Sequence, residues 1–400
     1  MKTLFLTREF PPYVYGGAGV HVEYLSKELS KLMDVEVRCF GDQDENQGSI
    51  QVKGYEYGNE KFNAANALLK PVLQTLNANI EMSIQNIDAD VVHCHTWYSN
   101  FGGILSKLLY GTPLVVTTHS LEPLRPWKRE QLGRGYDTSS WIEKTTIEMA
   151  DAIIAVSKET KEDVLKHFDV DEDKIHMVYN GIDLEEYQES TSTESLIKHN
   201  IDPELPYVLF VGRITRQKGI IHLVNAIKHL NKDVQVVLCA GAPDTEDIAK
   251  EMEDLVAEVQ KERDNVIWID EMLPKSEIIE LYSHAAVFCC PSIYEPFGII
   301  NIEAMSCNTA VVASAVGGIK EVVVHGETGL LIPVEQQNTA PFEPVNPEKF
   351  AKDLADGVNQ LIGDKDLREQ MAIKGRKRVE EHFSWTEIAK QIKLIYESLV

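Results

Sequence analysis

The sequence predicts an α/β protein built from two doubly wound parallel-sheet domains. Three observations carry that reading. Short, continuous apolar runs alternate with amphipathic stretches from end to end, which is the pattern of strands buried on both faces and joined by crossover helices. The chain has 400 residues, more than one ordinary hydrophobic core accommodates. The alternation breaks once, in a polar Ser/Thr/Glu-rich stretch at 184–206, and then restarts.

In the first half, the runs at 3–7 (TLFLT), 34–40 (DVEVRCF), 90–94 (DVVHC), 113–118 (PLVVTT) and 152–157 (AIIAVS) read as strands. Each is too short for a helix and rich in β-branched residues. Helical periodicity lies between most of them, as in 20–32 and 141–149. The polar stretch closes with Pro203 and Pro206 and reads as a linker with one short helix. Strands then recur at 207–212, 234–241, 266–270, 285–292, 309–314 and 329–333, and the tail from Asn346 reads as helices ending in 385–400. The domains are therefore expected at 1–185 and 207–384, with 186–206 between them. Ligands of such sheets bind outside the carboxyl ends of the strands, and a cleft between two such domains is the expected site.

Lys plus Arg number 39 and Asp plus Glu 63, giving a net charge of −24. That balance argues against nucleic acid or an anionic membrane surface as a main partner, so an anionic substrate needs a local basic pocket. The six cysteines form no C-x-x-C pair and mostly sit in apolar runs, as buried, reduced thiols do. The opening MKTLFLTREFPP has too short an apolar run for a signal peptide, and no segment is apolar enough to span a bilayer. A cytoplasmic protein is the expectation.

Chemistry concentrates at predicted strand ends. In 294–303 (YEPFGIINIE), Glu295 falls on a loop after a strand, Gly298 to Ile300 open a helix, and Glu303 lies further along it. A helix N-terminus is an anion cradle. The unit thus offers a carboxylate, a phosphate-sized cradle and a second carboxylate, matching the sugar, diphosphate and ribose of a nucleotide sugar. An ordinary crossover with two solvated acids has the same pattern. In 211–220 (VGRITRQKGI), Arg213, Arg216 and Lys218 fall at another strand end, where fixed cations stabilise a departing diphosphate. The Gly-rich 15–25 (YGGAGVHVEYL) lacks the G-x-G-x-x-G spacing of a dinucleotide fingerprint. His93 and His95 share a face if their strand continues, but no further metal ligand stands out in the sequence. His119 ends another strand. Asp42 and Asp44 lie in a polar run that reads as a solvated loop. Arg125, Lys128, Arg129 and Arg134 form a basic segment within 124–136, with Trp127 among them, and read either as a solvated surface or as a phosphate-binding patch.

Together, EPFGIINIE, TREFPPYVYGGAGVHV, HSLEPLRPWKREQLGRGY, NGID, GRITRQKG, LCAGAPDT, EMLPKSEIIELYSHA and AVVASAVGGIKEVVVHGETGLLIP resemble the family-four retaining glycosyltransferases of GT-B fold, over nearly the whole chain. The pattern is most similar to the short, corynebacterial-type glycogen synthases, some of which make α-maltose 1-phosphate. Long bacterial glycogen synthases carry a K-x-G-G-L loop near the N-terminus. Tyr15 or Val14 stands at the matching position here, which fits the short branch.

The resemblance implies two Rossmann-like domains facing across a cleft, with the last helix, 385–400, packing back on the first. It implies that Glu295 contacts the donor sugar and Glu303 the ribose. The amides of Gly298, Ile299 and Ile300, together with Arg213 and Lys218, would hold the diphosphate, with Gly17 approaching from the facing domain. His119 would meet the sugar 6-hydroxyl, and Met272 and Leu273 the base. It implies transfer of glucose from ADP-glucose or UDP-glucose to glucose 1-phosphate or an α-glucan end, with no cofactor and no metal. The basic residues of 124–136 are candidates for the acceptor phosphate. The alternatives are another family-four transferase of sucrose or mannosyl type, a two-lobed sugar-binding protein without catalysis, and a Rossmann oxidoreductase. No nucleic-acid or membrane partner is expected.

Overall fold

The computed structural model describes residues 1–57 and 66–400. The chain forms two compact units, one of Met1–Gly181 with Trp385–Val400, the other of Ile182–Ser384.

The first unit holds β1 (Lys2–Leu6), α1 (Gly17–Leu29), β2 (Asp34–Phe40), β3 (Asp44–Gln47), β4 (Ile50–Tyr55), α2 (Lys70–Ile84), β5 (Val91–His95), α3 (Trp97–Tyr110), β6 (Leu114–Thr118), α4 (Lys128–Leu132), α5 (Gly135–Met149), β7 (Ala152–Ala155), α6 (Lys158–His167) and β8 (Ile175–Met177). Its sheet runs β3-β4-β2-β1-β5-β6-β7-β8, parallel except for β3 against β4. The central strands are buried on both faces, with Leu4, Phe5, Val91, Val92, Leu114 and Val115 fully enclosed. That is why they read as unbroken apolar runs.

The edge hairpin β3–β4 corrects the sequence reading. Asp44, expected in a solvated loop, opens β3, and Asp42 accepts a hydrogen bond from the Tyr13 hydroxyl at 2.9 Å. Exposed charged side chains on such an edge discourage pairing with other chains.

The second unit holds α7 (Glu194–Lys198), β9 (Tyr207–Arg213), α8 (Ile220–Ala226), β10 (Gln235–Gly241), α9 (Glu246–Glu262), β11 (Val266–Ile269), α10 (Lys275–His284), β12 (Val287–Cys290), α11 (Ile299–Ser306), β13 (Ala310–Ser314), α12 (Ile319–Val322), β14 (Gly329–Ile332), α13 (Pro347–Gly363) and α14 (Lys365–His382). Its sheet is wholly parallel, in the order β11-β10-β9-β12-β13-β14.

The stretch expected as a linker, 186–206, is instead a packed part of this unit. Tyr187, Leu196 and Ile201 are buried, and Ser195 donates its amide and hydroxyl to Glu280 at 2.6 and 2.9 Å. Three apolar anchors spaced through a polar stretch suffice to hold it down, but they produce no periodicity. The unit boundary accordingly falls at Gly181–Ile182 rather than at 185.

The final helix, α15 (Trp385–Glu397), belongs to the first unit. Trp385, Ile388, Ala389, Ile392 and Tyr396 enter its core beside Leu25 and Leu29 of α1. All six cysteines are buried and unpaired. Among the described residues, no helix is long and apolar enough to cross a membrane.

Candidate functional site

Strand order reverses between β9 and β12 in the second unit, and between β1 and β5 in the first. Such switch points leave a crevice at the carboxyl ends of the strands, where ligands of doubly wound sheets bind.

In the second unit, the loops after β9 and β12 supply the residues singled out in the sequence. Lys218 Nζ meets Glu295 Oε2 at 2.7 Å across the switch point, and the Ser292 hydroxyl donates to the same oxygen at 3.3 Å. Burial alone would lower the Lys218 ammonium, but Glu295 beside it gives a net rise, so it stays charged. Arg213, the last residue of β9, is held by Asp244 through an ion pair. Glu295 sits on a tightly supported loop. Its carbonyl accepts from the Gly318 amide at 3.0 Å, and a Cβ on Gly317 would lie 1.9 Å from that carbonyl oxygen. Gly317 has φ +52°, so only glycine fits there on both counts. Gly298, at φ +101°, turns the chain into α11, whose first residues are Ile299 and Ile300.

Glu303, the fifth residue of α11, lies deeper. Its two oxygens accept from the Tyr187 and Tyr282 hydroxyls at 3.1 and 3.0 Å. Burial raises its carboxyl above the usual range, and the two hydroxyls offset part of that rise. Met272 is exposed and Leu273 half-buried, both between β11 and α10.

The first unit presents different chemistry at its switch point. His95 ends β5, His119 follows β6, and His21 projects from α1. His95 Nδ1 and His119 Nε2 are 3.2 Å apart, and the His21 ring centroid lies 4.6 Å from that of His119. His93 is saturated, with Nδ1 on the Tyr396 hydroxyl at 2.5 Å and Nε2 on Thr117 Oγ1 at 2.7 Å. Thr96, next to His95, has φ +69°, an outlier for a β-branched residue of the kind that gathers at functional sites. Gly17 is exposed at the start of α1. The Glu9 carboxylate accepts from the Tyr15 and Gly16 amides at 2.9 and 2.8 Å, so this helix start already has an anion.

The basic segment separates into distinct environments. Arg129 pairs with Asp137 in solvent, and Arg134 is exposed. Arg125 donates to Ser120 Oγ at 2.8 Å. Lys128 is buried, its ammonium 5.7 Å from the Tyr98 ring centroid. The Arg8 guanidinium lies 4.3 Å from the same ring. Beneath the segment, Glu143 Oε2 accepts the Glu122 amide at 2.7 Å. Burial and then Glu122 push the Glu143 carboxyl well up, while Arg125 and Lys128 pull it down.

Within the second unit, Arg213 at the end of β9 and Lys218, Glu295 and Gly298 on the loops after β9 and β12 thus lie at one switch point. Sequence reading missed Asp244, Tyr187 and Tyr282 there, and His21 and Arg8 in the first unit. His21 and Arg8 lie in TREFPPYVYGGAGVHV, but nothing in the spacing distinguished them from their neighbours.

Residues 15–186 match the family described as Glycosyltransferase Family 4, and residues 191–341 the one described as Glycosyl transferases group 1. The chain is 47% identical to the alpha-maltose-1-phosphate synthase of Mycolicibacterium smegmatis and 43% identical to that of Mycobacterium tuberculosis H37Rv, covering 100% of each chain in both cases. Its fold is similar to sucrose-phosphate synthase from Thermosynechococcus elongatus, with a TM-score of 0.81 at 24% identity over 100% of this chain and 99% of that one. It is also similar to Anabaena Alr3699/HepE in complex with UDP and glucose, with a TM-score of 0.76 at 20% identity over 100% of both chains. Two Rossmann-like parallel-sheet units, family matches in both halves and full-length relatives at this identity agree: the chain is a glycosyltransferase and belongs to family four of the GT-B fold.

Proposed function

We propose that the protein is a retaining α-1,4-glucosyltransferase that moves glucose from ADP-glucose or UDP-glucose to glucose 1-phosphate, with a maltodextrin or glycogen end as the alternative acceptor. The observation that carries this reading is the Lys218–Glu295 pair at the second unit's switch point. Full-length identity of 47% to an alpha-maltose-1-phosphate synthase supports the choice of acceptor. The donor diphosphate takes Lys218 from Glu295, and Arg213 and the amides at Gly298 to Ile300 complete its cradle. Glu295, released, holds the sugar hydroxyls. Glu303 binds the ribose, Met272 and Leu273 lie beside the base, Gly17 approaches the diphosphate and His119 meets the sugar 6-hydroxyl.

In the reaction, the bond from the anomeric carbon to the β-phosphate oxygen breaks. The acceptor hydroxyl oxygen forms the new bond on the same face, and its proton passes to the departing phosphate. Arg213 and Lys218 stabilise the charge that builds on that phosphate, so the transfer needs no added metal or cofactor. The acceptor phosphate is held in the first unit by Lys128 and Arg8 about Tyr98, with Arg125 beside them; Arg129 and Arg134 play a lesser part. A phosphate ester needs such cations in a protein of net charge −24.

The test is a matrix of ADP-, UDP- and GDP-sugars against glucose 1-phosphate, maltose, glycogen and fructose, with products identified. The expected product is α-maltose 1-phosphate. Transfer only to fructose, or only from GDP-mannose, would replace this reading with a sucrose-type or mannosyl enzyme.

A further inference from the structure

His21, His95 and His119 come from three separate elements, and one ring nitrogen of each lies within 4.8 Å of the other two. We propose that these three side chains form a binding site for a divalent transition ion of the zinc class, with a fourth position open to solvent on the His119 side.

Hydrogen bonding singles out these three from the four clustered histidines. His93 has both nitrogens occupied, by Tyr396 and Thr117. His21 has its Nδ1 on Asn180 Oδ1 at 2.6 Å, while its Nε2 is buried without a partner. An amide oxygen accepting from one nitrogen fixes the tautomer and leaves the other lone pair for an ion, as in the outer shell of established metal sites. His95 is fully buried and turns its Nδ1 to the His119 Nε2 at 3.2 Å, so that Nδ1 is the nitrogen facing the centre. A buried polar atom without a partner costs roughly 1–3 kcal/mol, and an ion bound at the His21 Nε2 removes that cost there.

The geometry suits a small ion. Zinc–nitrogen bonds of about 2.0–2.1 Å in a tetrahedron place ligand nitrogens roughly 3.3 Å apart. The His95–His119 pair already stands at 3.2 Å, and the other separations contract on binding. The ring centroids, 4.6 Å apart for His21 and His119 and 5.4 Å for each of the other two pairs, surround one point rather than stack. Phe5 packs on His95 and Trp385 on His21, so two of the ligands are held from behind by apolar rings. His119 is half-buried and provides the entry path.

Nitrogen ligands without thiolate or carboxylate favour zinc, copper, nickel or cobalt over magnesium and calcium. The site shares His119 with the transfer reading, in which that ring meets the sugar 6-hydroxyl, but no step of the chemistry above uses an ion, and ion binding is measured without substrate, so the failure of one reading is distinguishable from the failure of the other.

The experiment uses the full chain, stripped with chelator and titrated with Co²⁺. The expected result is a single equivalent bound, with the visible ligand-field bands of a four-coordinate nitrogen site that Zn²⁺ abolishes. His119→Ala, at the accessible edge, should eliminate those bands while far-ultraviolet circular dichroism stays unchanged. Asn180→Ala should keep the stoichiometry and weaken affinity by about 10–100-fold, as loss of an outer-shell partner does. The His382→Ala variant, altered at an exposed position on α14, serves as control and should bind as the parent does. Absence of the bands in the parent protein, thiolate charge-transfer bands in their place, or unchanged affinity in both His119→Ala and Asn180→Ala would each overturn the proposal.

Discussion

The two units place opposite chemistry at equivalent points of the same architecture. At the switch point of the second, a lysine and a glutamate face each other at 2.7 Å and an arginine is tied to Asp244. At that of the first, three imidazoles held neutral by burial gather around one point. A doubly wound sheet therefore specifies where a ligand meets the chain, and the loop residues specify what kind. Paired charges exchange partners with an anionic ligand, because a phosphate substitutes for a carboxylate. Neutral imidazoles offer hydrogen bonds and lone pairs without long-range attraction. In the reading proposed above, the charged site receives the diphosphate, and the neutral one offers His119 to an uncharged hydroxyl.

Substitutions sharpen that contrast, beginning with the largest effect. Lys218→Ala and Arg213→Ala should each lower kcat by about 10²–10³-fold at saturating donor, as loss of a transition-state charge stabiliser does. His119→Ala, which removes only a neutral hydrogen-bonding group, should cost about tenfold, from roughly 0.5–1.5 kcal/mol. Steady-state kinetics on the three variants decides the matter. Equal losses at both switch points would erase the proposed difference between them.

Glu303→Ala leaves the buried Tyr187 and Tyr282 hydroxyls without their acceptor, so it should destabilise the second unit by about 1–3 kcal/mol as well as weaken binding of free nucleoside diphosphate. Glu295→Ala should lower kcat and leave that affinity in place. Calorimetric titration with nucleoside diphosphate separates the two, and the reverse order of affinities would refute the assignment.

A smaller effect tests the buried carboxyl pair of the first unit. Glu143 is raised above its unfolded value, so the folded state binds its proton more readily than the unfolded chain. Its contribution to stability is complete below about pH 4.3, the unfolded value, and is lost as pH rises through the folded value. Glu143→Gln keeps the acceptor oxygen for the Glu122 amide and removes the titration. The expected outcome is a melting temperature above that of the parent at neutral pH and equal to it in mild acid. A variant less stable at neutral pH would show that its charge is needed by Arg125 and Lys128.

The smallest effects concern the acceptor. Lys128→Ala should raise KM for glucose 1-phosphate several-fold, with little change for maltose or for the donor. Arg129→Ala, which removes a pair exposed to water, should be nearly silent, because such pairs contribute about 0–1 kcal/mol. A larger KM change for Arg129 than for Lys128 would move the phosphate to the exposed face of the segment.

Both sheets were legible because their strands are buried on both faces. Runs such as LFL and VVLCA admit no other reading once their length is considered. The β3–β4 hairpin was not, since its residues are mostly polar and only Val52 and Tyr55 of β4 are buried. The loop residues Arg213, Lys218 and Glu295 stood out because strand ends are the expected place for chemistry. What hid was everything assembled across sequence distance. The histidine centre needs residues 21, 95 and 119 together, and Glu303 takes its tyrosines from 187 and 282, one of them in a stretch that looked like a linker. No local period encodes such meetings; packing alone produces them.

The return of α15 to the first unit has a consequence for the order of events during synthesis. The second unit is a continuous insertion between Gly181 and Trp385, whereas the first is complete only after both sides of that insertion exist. On the ribosome, domains usually fold from the N-terminus onward. Here the N-terminal sheet must wait through the whole insertion for Trp385 to cover Tyr24 and His21, and for Tyr396 to bond His93. Until then, an apolar face of α1 and two buried imidazoles are open to water and to chaperones. The second unit has all of its own elements in hand before α15 is made, so the first unit, whose eight strands come earlier, is the last to be completed.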